Sequence, residues 1–138
     1  MRTLGLDIGE KRIGVAISDP SGRVATPLSV LDAREVAADI GAIRRIVEDY
    51  EVQRMVVGLP LTLSGDEGAQ AREVRRTAEM LALRLGMAVA YQDERLTSKA
   101  AERAMSEAGA DSRARRGRVD MVAAALLLQT YLDAQAAS

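Results

Sequence analysis

Gly5-Leu6-Asp7-Ile8-Gly9-Glu10-Lys11-Arg12-Ile13-Gly14-Val15-Ala16-Ile17-Ser18 holds two short apolar segments on either side of a polar turn. Aliphatic runs broken by Gly9-Glu10-Lys11-Arg12 read as two antiparallel strands, residues 2–8 and 13–18, joined as a hairpin. A weaker strand, 23–30, follows the turn Asp19-Pro20-Ser21-Gly22. Asp7 stands inside the first apolar strand, where an unpaired carboxylate is costly. It needs a cation: a salt bridge with Lys11 or Arg12 is the ordinary source, and a functional role for the carboxylate is the alternative.

Beyond the hairpins the period changes. Val36, Ile40, Ile43 and Val47 recur at helical intervals, and Met55-Val56-Val57-Gly58-Leu59 reads as a buried strand. Val74, Ala78, Leu81 and Leu85 form a second helical stripe that stops near Gly86, before a strand over 88–92. Thr97 is a plausible N-cap for a helix ending by Gly109, and a last helix is expected over about 119–134. Hairpin strands followed by two helix–strand units imply an α/β domain spanning 1–138. Its sheet is mixed and five-stranded, with helices on both faces. In such sheets ligands gather beyond the carboxyl ends of the parallel strands. Asp7 and Asp93-Glu94 stand at those ends.

Composition narrows the chemistry. There is no Cys, His, Phe or Trp and there are three Tyr among 138 residues. Thiol nucleophiles, Ser-His-Asp triads, imidazole acid–base catalysis and the usual zinc sites are excluded, and aromatic stacking is not the main way of holding bases. Carboxylate, hydroxyl, amine and guanidinium groups remain. The 48% hydrophobic content supplies a core. The longest apolar run, 121–128, is far short of a membrane span, and the early meeting of Leu6 with Asp7 is unlike a signal peptide, so a cytoplasmic location is expected. Charge is uneven: residues 95–118 carry an excess of basic side chains on a chain of net charge -1. Arg113, Arg115, Arg116 and Arg118 crowd the link before Asp120, which suggests a docking place for a polyanion. Read singly, Asp120 is an acid in the first turn of the last helix, favourable against the dipole.

Four blocks in order carry a resemblance over essentially the whole chain: Gly5-Leu6-Asp7-Ile8-Gly9-Glu10-Lys11-Arg12-Ile13-Gly14, Val56-Val57-Gly58-Leu59-Pro60-Leu61, Asp93-Glu94-Arg95-Leu96-Thr97, and Asp120-Met121-Val122-Ala123-Ala124 through Tyr131-Leu132. Together they resemble the bacterial family of pre-16S ribosomal RNA nucleases, also called Holliday junction resolvase-like proteins. The resemblance implies a ribonuclease H-like fold and a hydrolase cutting phosphodiester bonds in the processing of the 5′ end of pre-16S rRNA. It also implies a catalytic and metal-binding triad of Asp7, Glu94 and Asp120. Three hard carboxylates suit Mg²⁺, with Mn²⁺ as a substitute. Lys11, Arg12, Arg95, Arg115 and Arg116 are then candidates for phosphate contacts. The expected partners are nucleic acid, RNA before branched DNA, and ribosomal precursor particles. Two departures from the family pattern are visible: Thr77 where a Phe is common, and Ala100 where a Glu is frequent.

Rival readings are a branched-DNA resolvase, a module that binds structured RNA without cutting it, and an actin-like ATPase, which shares Asp-x-Gly after a first strand. The last uses two fold repeats around one nucleotide. This chain has no internal repeat and no Gly-x-x-x-x-Gly-Lys-Ser/Thr loop.

Overall fold

The computed structural model describes residues 1–95 and 112–137, the second stretch with side chains from 117 onward. Five strands form one sheet: β1 (Thr3–Ile8), β2 (Arg12–Ser18), β3 (Ala25–Asp32), β4 (Arg54–Leu59) and β5 (Ala88–Asp93). Their order is β3-β2-β1-β4-β5. The first three pair antiparallel, while β4 lies parallel to both β1 and β5. The expected mixed sheet is therefore present. The helix expected over 97–109 lies outside the described residues.

Alternation along the strands sorts side chains to two faces. Leu4, Leu6, Ile13, Val15, Met55 and Val57 point to one side, where they pack with α1 (Ala33–Ala38), α2 (Gly41–Asp49) and α3 (Ala69–Leu85). The opposite face is built of small residues. Gly5, Ala16, Val56 and Gly58 form its floor, and α4 (Ser112–Ala136) lies on it through Ala124, Leu127, Leu128 and Leu132. A methyl group at Gly5 would stand 2.9 Å from Leu128 Cβ, and one at Gly14 would overlap the backbone carbonyl of Asp120. Glycine is required at both places because backbone approaches backbone there.

Polar contacts fix the helix along its axis. Gln129 accepts from the Ala25 amide at 2.9 Å and donates to the Arg23 carbonyl at 2.8 Å, while Arg54 donates to the Tyr131 hydroxyl at 2.6 Å.

Three local expectations are corrected. The first helical stretch is two helices, because Asp39 is extended and its carboxylate accepts from the Gly41 amide at 2.8 Å, restarting the helix after it. Strand β3 is shifted toward the C-terminus, because Asp19 accepts from the amides of Arg23 and Val24 and keeps both in the turn. The last helix begins at Ser112, so the arginine-rich segment is helical backbone; Arg and Ala are good helix formers, and their run outweighs Gly117. Asp120 thus lies more than two turns inside α4, and the first-turn role does not apply to it.

Candidate active site

Asp7 is on the small-residue face of β1, and Glu94 follows the end of β5. The strand between them is β4, and at Gly58 it has no side chain. The Glu94 carboxylate occupies that space: a methyl group on Gly58 would collide with Glu94 Oε2 and come 2.9 Å from Leu127 Cδ2. The two acids meet there in a hydrogen bond between their side chains.

Their electrostatics follow from burial. Loss of water raises the pKa of Asp7; the hydrogen bond from Glu94 opposes this and the negative charge of Asp120 adds to it. Glu94 is pushed up to about 8, first by burial, then by the charge of Asp7, the shared hydrogen bond and the charge of Asp93. The bond favours the ionised form of Asp7 and the protonated form of Glu94, so near neutral pH the shared proton resides on Glu94. Of the two readings of Asp7, the salt bridge with Arg12 or Lys11 is not the one found. The Arg12 guanidinium goes to Asp120, with Nε 2.5 Å from Oδ2.

Asp7 and Glu94 are thus brought together, and Asp120 is close enough for its charge to be felt at Asp7. Among the described residues no three acidic side chains lie close enough to hold one metal ion between them. Lys11 is exposed in the β1–β2 turn. Arg95 is wrapped around Asp93, donating from Nε at 2.8 Å and Nη2 at 2.6 Å to Oδ2, which holds the Asp93 carboxyl below the usual range. It also donates to the Leu63 carbonyl at 3.4 Å, tying the 60–68 loop to the end of β5. Arg115 and Arg116 are helical in backbone, and their side chains lie outside the described residues.

Sequence reading places Gly58 correctly in the buried strand but misses it as the seat of Glu94. An isolated glycine inside a β-branched run is the signal of close approach that was available. No local signal joins Arg12 to Asp120, 108 residues away.

Comparisons with known proteins bear on this arrangement. The family model RuvX, described as Holliday junction resolvase, matches residues 1–134. A protein of Syntrophus aciditrophicus named "Putative pre-16S rRNA nuclease" is 48% identical over 134 residues, covering 97% of this chain and 89% of that one. One of the same name from Moorella thermoacetica is 47% identical, covering 96% and 95%. Among solved structures, Thermus thermophilus RuvC in complex with a Holliday junction substrate superposes with a TM-score of 0.58 at 17% identity, covering 99% of this chain and 96% of that one. At that identity the likeness concerns the fold, which is ribonuclease H-like.

Proposed function

This chain belongs to the RuvX family of nucleases, and from that premise we propose that it hydrolyses phosphodiester bonds with the help of a divalent metal ion held by Asp7 and Glu94, which Asp120 joins as third ligand when its carboxylate turns from Arg12. The observation that carries the reading is the half-buried Asp7–Glu94 carboxyl pair at the carboxyl ends of parallel strands, with the charge of Asp120 beside it. Two half-buried acids that share one proton form an oxygen-only donor set short of positive charge. That chemistry fits a hard cation such as Mg²⁺, or Mn²⁺ in its place.

Asp7 is the central ligand, because it lies between the other two in its interactions. Glu94 must lose its proton to serve as an anionic ligand, so the site is assembled more easily as pH rises toward about 8. Asp120 approaches from α4, on the far side of Asp7 from Glu94. Lys11 and Arg12 on the hairpin, and Arg115 and Arg116 on the first turns of α4, contact backbone phosphates. Arg95 braces Asp93 and the 60–68 loop, and it is a further candidate for a phosphate contact. When bound, the metal ion supplies an activated water and stabilises the charged transition state and the departing oxygen.

The substrate we favour is the 5′ region of pre-16S rRNA, on the strength of the names carried by relatives near half identity. The family description favours branched DNA as the second reading. Purified protein should be given matched RNA, duplex DNA and a four-way DNA junction with Mg²⁺, beside an Asp7→Asn control. Metal-dependent cleavage of the precursor RNA that vanishes in the control is the expected result. Cleavage of the junction alone would move the substrate to DNA, and binding without product on every substrate would make the chain a non-catalytic module.

A further inference from the structure

Arg12 opens β2, and its contact with Asp120 places a positive group on the acid that α4 carries toward Asp7. The two side chains differ in exposure. Arg12 keeps 39% of its side-chain surface and Asp120 21%, so the guanidinium lies toward solvent and the carboxylate deeper. The position of the acid does not depend on the arginine. At Asp120 the backbone of α4 rests directly on Gly14, and one and two turns later Ala124 and Leu128 close over Gly5. The cation on Asp120 can therefore be exchanged without moving the helix, whereas the arginine sits on a long, flexible stem at the end of a strand.

We propose that Arg12 is a placeholder cation: it neutralises Asp120 until a divalent ion displaces it, and the freed guanidinium then grips the phosphate backbone of the bound nucleic acid. This rests on the metal-site reading given above. A half-exposed arginine–carboxylate pair is weak, so a doubly charged ion held by several oxygens outcompetes it. The released fork matches phosphate in bidentate geometry. Metal and nucleic acid then bind cooperatively, because each takes one member of a pair that otherwise occupies itself.

The test measures Mn²⁺ binding calorimetrically on the full chain without nucleic acid, for wild type, Arg12→Gln and Arg12→Lys. Thermal unfolding of each variant establishes that it is folded. In parallel, affinities for a labelled RNA duplex and a labelled four-way DNA junction are measured over a salt series with Ca²⁺ present. Arg12→Gln should bind Mn²⁺ about threefold more tightly, the size expected for losing a weak competing ion pair. It should also lose roughly one unit of log–log salt slope for nucleic acid. Arg12→Lys, which keeps the charge, should return Mn²⁺ affinity toward wild type. Equal or weaker Mn²⁺ binding by Arg12→Gln, or an unchanged salt slope, overturns the proposal while leaving the metal site standing. Wild type that binds no Mn²⁺ removes the metal-site reading, and the placeholder with it.

Discussion

Glu94 lies over Gly58, and it is the absence of a side chain there that lets its carboxyl group reach Asp7. A methyl group in that position meets the ends of two side chains, Glu94 Oε2 and Leu127 Cδ2, and not backbone. Gly58→Ala should therefore fold, at a cost of about 1–3 kcal/mol for overpacking, but with Glu94 displaced. Urea unfolding and cleavage rate, measured together, check this. A rate near wild type would mean that the Glu94 position does not matter to turnover.

The acid pair sets an unusual pH dependence. The folded protein holds a proton on Glu94 up to about pH 8, while in the unfolded chain that proton leaves near the ordinary 4.5. Between those values the folded state binds more protons than the unfolded state, so this group's contribution to stability is full below about 4.5 and is lost as pH rises toward about 8. The loss is on the order of a few kcal/mol at most. Metal-free Glu94→Gln should be more stable than wild type at pH 8 and nearly equal to it at pH 4.5. A Tm difference that does not change with pH would contradict this.

Two glycines on the path of α4 should respond in opposite directions. Gly14→Ala drives a methyl group into the Asp120 backbone, which cannot turn aside, and should cost about 2–4 kcal/mol. Gly117→Ala meets nothing within 4 Å among the described residues on a helical backbone and should stabilise by about 0.5–1 kcal/mol. Denaturant midpoints of the two variants decide the matter.

Thr77 lines an open groove of about 740 Å³ between α1 and α3, with Ile13, Val36, Val74 and Met80 around it. It stands where the sequence departs from its family pattern, and among the described residues the small polar side chain leaves that apolar space open. Thr77→Leu should add about 1 kcal/mol in urea unfolding without altering cleavage, since the groove is on the face of the sheet away from α4.

Replacing Arg115 and Arg116 with Gln should weaken nucleic-acid affinity across sequences and flatten its salt dependence by roughly one to two units of log–log slope. Single-turnover cleavage at saturating substrate should change little. An unchanged slope would send the search for the nucleic-acid path to Lys11, Arg12 and Arg95.

The sheet was legible because period-2 and period-3.6 patterns alternate cleanly between turn residues, from Leu4 and Leu6 through Val74 and Ala78. The interruption at Asp39 was not, since a side-chain oxygen that restarts a helix leaves the hydrophobic stripe of Val36, Ile40 and Ile43 unbroken. The start of α4 was hidden for the converse reason: its first turns are charged and carry no apolar stripe to announce a helix. At the site, the meeting of Asp7 with Glu94 followed from both standing at ends of parallel strands. The partner of Arg12 did not, because its choice between Asp7 and Asp120 depends on how α4 settles on Gly14.

The continuity of α4 has a consequence for anyone redesigning this protein. One rigid rod carries the arginines at 113–118, the acid at 120 and the buried leucines at 127 and 128. Rotating it by a few degrees to enlarge the proposed metal site would swing the leucines off the sheet, and sliding it would break the hold of Gln129 on Ala25 and Arg23. Metal preference and thermal robustness are therefore not independent dials in this scaffold. A change of ion selectivity is better sought at the Glu94 side, where a single residue beyond β5 can be altered without disturbing the rod.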